Sequence, residues 1–392
     1  TGSNYYGTSM NVSLTNNNST LTIGGNNDGQ TGGVITGANL ILYGSGILQL
    51  TGVNSYTGYT YIAGGTLRLG AANVIPDVSY VTASTLTTAL ELGDFTETIA
   101  NLTGSGTVRS VGVANSYLIT GGENVDASFG GTISDGSGTV HITKQGTGAW
   151  YLSMANSYSG LTTISAGKII MYHASALGSA IQGTVVANGA ALQVHGSLSV
   201  ENESLTLSGT GILNEGVLRS LGGDVSWGGP IVTSDISPRI VIVSGTWNHT
   251  GNVIMNQTLT TVVQGTSLKF SGIISGIGGL IKTDVGSLEL NAANTFDGSV
   301  SVSAGNLIVK HATALGSNTA GTSISSGASI TLDGGIFIDG EILALNGWSS
   351  TGNGAMRSIN GVNRWSGNMT LGGSQVYINA ESDLSLPAIS NP

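Results

Sequence analysis

Carboxylates two residues apart can do acid–base work on a strand, because alternate strand residues share a face. Glu201/Glu203 and Asp339/Glu341 are such pairs, beside a looser group of Glu91, Asp94 and Glu97. A glycan-cleaving site also needs Arg or Lys close by, and neither pair has a basic neighbour in sequence. Both pairs are therefore expected to be outward, solvated carboxylates. The five histidines, His141, His173, His195, His249 and His311, form no metal-ligating spacing, and no Gly-x-Ser-x-Gly elbow presents a nucleophile. Asn26-Asn27-Asp28-Gly29 offers oxygen ligands, but these are also the default residues of a turn. No catalytic, cofactor-binding or metal-binding set emerges. The expectation is that the protein is not an enzyme and holds no cofactor.

Composition narrows the class further. Lys and Arg number 11 against 21 Asp and Glu, giving a net charge of −10 with only 8% of residues charged. Nucleic-acid binding needs basic surface to neutralise phosphate, so no nucleic-acid partner is expected. With no Cys there is no disulfide framework and no thiolate metal site. Gly is abundant, at 63 residues, yet 40% of the chain is hydrophobic, which separates it from disordered low-complexity sequence. No apolar run is long enough to cross a membrane as a helix. The chain opens on Thr1 with no charged-then-apolar leader, as a processed or trimmed protein does.

Internal repetition decides the architecture. Asn54-Ser55-Tyr56-Thr57-Gly58, Asn156-Ser157-Tyr158-Ser159-Gly160 and Asn294-Thr295-Phe296-Asp297-Gly298 are 102 and then 138 residues apart. Each follows an alternating strand (Leu48-Gln49-Leu50, Trp150-Tyr151-Leu152, Leu288-Glu289-Leu290). Each precedes a Gly turn and a second strand, Gly65-Thr66-Leu67, Gly167-Lys168-Ile169 and Gly305-Asn306-Leu307. The longer offset persists from His173-Ala174 and His311-Ala312 to Trp227-Gly228 and Trp365-Ser366, so His173 and His311 read as structural positions. Tyr56, Tyr158 and Phe296 recur at one point, and strict recurrence favours packing over an exposed glycan-stacking track. Gly58/160/298 and Gly65/167/305 are both expected at turns needing positive φ.

Within a unit the apolar period is two, as in half-buried strands, and no amphipathic helix is present. Leu50, Ile62, Leu69, Leu152, Ile164, Leu290, Val302 and Val309 are expected to point inward. Units this long exceed a propeller blade, and long tandem self-similarity favours a solenoid. At roughly 20–25 residues per coil the chain holds about 17 coils, spanning roughly 80 Å at about 4.8 Å per stacked strand. Stacked Asn, Ser and Thr are tolerated there, whereas columns of like charge are not.

The order Gly-x-Leu-x-Leu, Asn-x-Tyr/Phe-x-Gly, a Val/Ile-rich strand and Gly-Gly-x-Leu resembles the passenger-associated β-strand repeat of bacterial autotransporters. Ile273-Ile274-Ser275-Gly276 with Gly279-Leu280-Ile281-Lys282, and Gly354-Ala355-Met356-Arg357 before Trp365, resemble the same family. The resemblance covers most of residues 36–380. It implies a right-handed parallel β-helix displayed outside a Gram-negative-type cell. The outer-membrane barrel of that family is not found before Pro392, so the expected piece is a passenger alone, a fragment, or a relative with another anchor.

The reading is therefore an all-β, right-handed parallel β-solenoid forming a single elongated domain. It divides into N-terminal coils (1–43), a first shorter unit (44–143), a complete unit (144–281) and an incomplete third unit (282–392). The expected role is a non-enzymatic extracellular structural or display element, with an adhesin for glycans or host surfaces as the alternative and a polysaccharide-cleaving enzyme behind both. Extrapolating the phase of the repeat from Pro392 to the front of the chain suggests head-to-tail stacking with a second copy. Leu14, Leu21 and Ile23 would meet Val376, Ile378, Leu384 and Leu386.

Overall fold

Period-two apolar patterning broken every few residues by Gly, Asn and Ser gives short strands and tight corners, and the protein contains little else. The structure, a computed structural model, describes residues 20–25, 29–350, 352–373 and 375–389. Among these the one helical turn is the short Ile212–Asn214 segment. Two compact units, Thr1–Val185 and Val186–Pro392, each wind as a parallel β-solenoid, about 16 turns in all.

In the first unit one sheet runs strand by strand from Thr20–Gly25 through Asn39–Gly44 and Thr60–Ile62 to Lys168–Met171. A second runs from Gly29–Thr31 to Thr132–Ser134, and a third begins at Thr96–Ile99. Thr107 pairs with Ala89 on one side and Thr132 on the other, so a turn in this unit takes 18 to 25 residues. In the second unit the long sheets run from Ala191–His195 to Met369–Gly372 and from Ser199–Val200 to Ile378–Ala380. All recorded strand pairings are parallel, as winding in one direction requires.

The interior is built by the alternation. Val140–Lys144 alternates buried and half-buried positions along its length. Leu50, Ile62, Leu69, Leu152, Ile164, Leu290, Val302 and Val309 are all buried, none more than 2% exposed. Each buried Leu, Ile or Val contributes roughly 1.5–3 kcal/mol, well above the 0–1 kcal/mol of an exposed ion pair, so the stacked interior dominates stability.

The first repeat offset is not a whole number of turns. Ile47–Leu50 lies in the second sheet of its unit, whereas its repeat partner Ala149–Leu152 lies in the first. The motif has rotated by one face and still fits, so it is suited to more than one face. The glycines divide into two kinds. Gly65, Gly167 and Gly305 take φ of 66°, 61° and 72°, as expected. Gly58, Gly160 and Gly298 do not have positive φ. They are glycine because a Cβ would strike the backbone of the coil beneath, at Ala38, Val140 and Gly278 respectively.

Candidate functional site

The repeated polar residues are turned to the stack. Asn54 Oδ1 accepts from the Ile35 amide at 2.7 Å while its Nδ2 donates to the Val74 carbonyl at 2.7 Å. Asn156 joins Ile133 to Ala176 (2.8 and 2.6 Å), and Asn294 joins Ile274 to Ala314 (2.8 and 2.6 Å). Each buried amide thus ties its own coil to the one below and the one above. Glu97 continues the first of these columns, accepting from the Val74 and Ile75 amides at 3.1 and 2.8 Å. Burial pushes its carboxyl up to about 8 against the pull of those amides. Tyr56, Tyr158 and Phe296 are buried beside the Asn residues and offer no exposed stacking track.

Two lysines lie inside as well. Lys144 Nζ donates to the carbonyls of Gln145, Gly146 and Ala166, and Lys282 Nζ to those of Thr283, Asp284 and Ala304. Burial pushes both ammonium groups down to about 8, partly opposed by Asp126 and Asp284 respectively. The equivalent position in the first repeat is Leu42, also buried.

The carboxylate pairs correct the sequence reading. Glu201 and Asp339 are exposed as expected, but Glu203 and Glu341 are buried, 5% and 3% exposed. None of the four lies on a strand, so a spacing of two does not place the members of a pair on one face. Trp227 Nε1 donates to the Glu203 carbonyl and Trp365 Nε1 to that of Glu341, both at 2.8 Å. The 138-residue offset links these two clasps and was the signal that marked both glutamates as repeat positions. Thr322 Oγ1 donates to Glu341 at 2.7 Å.

Charges that are scattered in sequence meet as columns of opposite sign. Glu91 is held between Arg68 and Arg109 on adjacent strands, each at 2.6 Å. Lys269, Glu289, Lys310 and Asp333 form a second ladder. His173 and His311 accept through Nδ1 from the amides of Ser175 and Thr313, closing equivalent turns. Among the described residues no cluster of three or more His, Asp or Glu could hold a metal ion. Asn26, Asn27 and Asp28 lie outside those residues.

One outward surface went unrecognised in the sequence. In the first unit exposed Tyr43, half-buried Tyr61 and exposed Tyr80 lie on successive strands of one sheet, with exposed Tyr59 just before the middle strand. Tyr80 donates to Glu123 at 3.3 Å. The signal was the alternation Tyr59-x-Tyr61 flanking inward Thr60 and Ile62. On another sheet Tyr117 stacks on His141 at 4.7 Å. Of the residues expected at a head-to-tail interface, Leu14 lies outside the described residues, as does the Leu21 side chain. Ile23, Val376, Ile378, Leu384 and Leu386 are half-buried.

The passenger-associated-transport-repeat model matches residues 40–69, 142–170 and 280–309, the three segments that carry the Asn columns. The chain carries the repeat of autotransporter passengers. It is similar to the Adhesin BmaC autotransporter of Brucella suis biovar 1 (strain 1330), 29% identical over an alignment that covers 86% of this chain. The chain spans 11% of that relative's length. No solved structure matches it. Passengers of this kind are exposed on, or released from, the surface of Gram-negative bacteria, and this passenger segment is extracellular. Among the described residues no helix is long and apolar enough to cross a membrane.

Proposed function

We propose that this passenger segment is a non-enzymatic, adhesive scaffold. It holds contact surfaces on its lateral faces while its buried polar groups hold one coil on the next. The observation that carries this reading is the division of labour between inside and outside. Asn54, Asn156, Asn294, Lys144 and Lys282 are spent on inter-coil hydrogen bonds, whereas Tyr43, Tyr59 and Tyr80 face outward on a rigid sheet. Tyrosines on a fixed backbone give large amphipathic contact area at small entropic cost. A relative named as an adhesin supports the same reading.

The test is display of the chain on a non-adherent Gram-negative host, with attachment scored against cells and immobilised glycans. Attachment that falls when Tyr43, Tyr59 and Tyr80 are replaced by Ser, at unchanged surface level, is expected. Absence of any attachment, or hydrolysis of an offered polysaccharide, would sink the reading. Within it, the half-buried Val376, Ile378, Leu384 and Leu386 offer apolar surface for stacking of a second copy. Electron microscopy of the purified chain separates filaments from single rods.

A further inference from the structure

In the second unit a cavity of about 260 Å³ opens where the turn containing Leu315 and Asn318 meets the next coil at Phe337, Asp339 and Glu341. Leu315 gives it an apolar floor and Phe337, 42% exposed, an aromatic wall. Arg364 of the following coil places its guanidinium 4.5 Å from the Phe337 ring centroid. Arg364 itself does not line the cavity. Asn318 supplies an amide, its Nδ2 donating to the Asp339 carbonyl at 3.4 Å. The Asp339 carboxylate accepts from Ser366 Oγ. Glu341 is buried at the back, its carboxyl pushed up by burial against the Thr322 hydrogen bond.

Comparison across the repeat shows which of these groups the fold requires. The positions 138 residues earlier are Ala180, Ser199, Glu201 and Glu203. Both repeats keep the two carboxyls. The third alone adds the amide of Asn318 and the ring of Phe337. Packing does not demand those two, because the second repeat folds with Ala and Ser in their places.

We propose that this cavity binds one uncharged pyranose ring of a glycan. A pyranose has a CH-rich face for Phe337 and Leu315 and a hydroxyl edge for the Asn318 amide and the exposed Asp339 carboxylate. With Asp339 in the wall and no Lys or Arg among the lining residues, uronic and sialic acids are disfavoured. The volume is below the roughly 300–1,000 Å³ of pockets for drug-sized ligands, which suits one ring rather than a chain. The inference deepens the adhesive reading by naming a ligand class, but its test is made on purified protein and does not depend on attachment of cells.

Saturation-transfer NMR and titration of the full chain with methyl galactoside, methyl glucoside and methyl N-acetylglucosaminide should reveal one that binds with Kd of about 1 mM, as a few polar contacts allow. Methyl glucuronide should not bind. The double variant Phe337→Ser with Asn318→Ala introduces side chains that the equivalent positions already carry. It should keep its thermal unfolding and lose binding by about tenfold or more. Binding by none of the neutral sugars, equal binding of the glucuronide, or undiminished binding in the folded variant overturns the proposal. Cell attachment without sugar binding removes the pocket and spares the scaffold. Sugar binding without attachment does the reverse.

Discussion

The phenol oxygen of Tyr158 lies 2.7 Å from the hydroxyl of Thr162, and neither side chain reaches solvent. Tyr56 and Thr60 repeat the pair at 2.5 Å. In the third repeat both partners change together, to Phe296 and Val300, which are equally buried. Buried hydroxyls are costly to leave alone but nearly neutral to remove as a pair.

Tyr158→Phe and Thr162→Val should therefore each cost about 1 kcal/mol, since each removes one partner of a buried pair. The double variant should return towards the parent protein. Urea unfolding of the four proteins measures the coupling. Strict additivity would show that the hydroxyls do not act as a unit.

Lys144 offers a second natural comparison, because Leu42 fills its position in the first repeat. An ammonium pushed down to about 8 by burial binds its proton less tightly folded than unfolded. Its cost is present in full below pH 8 and is relieved as pH rises towards the free-lysine value of about 10.4. The three carbonyl hydrogen bonds oppose that cost. Lys144→Leu is expected to unfold within about 1 kcal/mol of the parent at pH 7, or above it. Lys144→Ala adds a cavity and should lose about 2–4 kcal/mol. A Leu variant as unstable as the Ala variant would show that the carbonyl contacts outweigh burial.

The strands and inward apolar residues were legible because burial in a solenoid follows a period of two, and Leu50 or Val302 needs only that pattern to be placed. Glu203 and Glu341 were misread for the same reason: they lie at corners, where the pattern does not hold. The partner of Asn156 in the coil below, Ile133, is 23 residues away, a spacing set by coil length that varies along the chain. The cavity at Phe337 depends on two coils meeting, and only the break in repeat identity at Asn318 and Phe337 hinted at it.

His249 is wholly buried, edge-on to Phe270 with ring centroids 5.7 Å apart. Burial pushes its imidazole down to about 4, offset in part by the Asn252 backbone. The unfolded chain, with a pKa of about 6.5, then binds more protons than the fold between pH 4 and 6.5. Stability is complete above that window and is lost as pH falls through it, by about 3 kcal/mol from this group. His249→Phe should remove that slope from the pH dependence of denaturant midpoints. An unchanged slope would assign the acid sensitivity elsewhere.

Asn156 allows the sharpest test of the stack, because its amide must donate and accept at once. Asn156→Ala leaves the Ile133 amide and the Ala176 carbonyl without their partner at a buried position. Two stranded backbone groups should cost about 2–6 kcal/mol. Asn156→Asp has nearly the same shape but divides the roles. Its carboxylate can still accept from Ile133, whereas against the Ala176 carbonyl it needs a proton. Burial and that carbonyl both favour the protonated acid, so its folded pKa must exceed the unfolded value of about 3.9. Such a group gives its full contribution below pH 3.9 and loses it as pH rises through the folded value. The Asp variant should therefore approach the parent protein in acid and fall towards the Ala variant at neutral pH. Thermal unfolding of the three proteins between pH 3.5 and 8, each compared with the parent at the same pH, reads this directly. A constant gap between the Asp variant and the parent would mean that the Ala176 carbonyl finds another donor, and that Asn156 ties its coil to the one below but not to the one above.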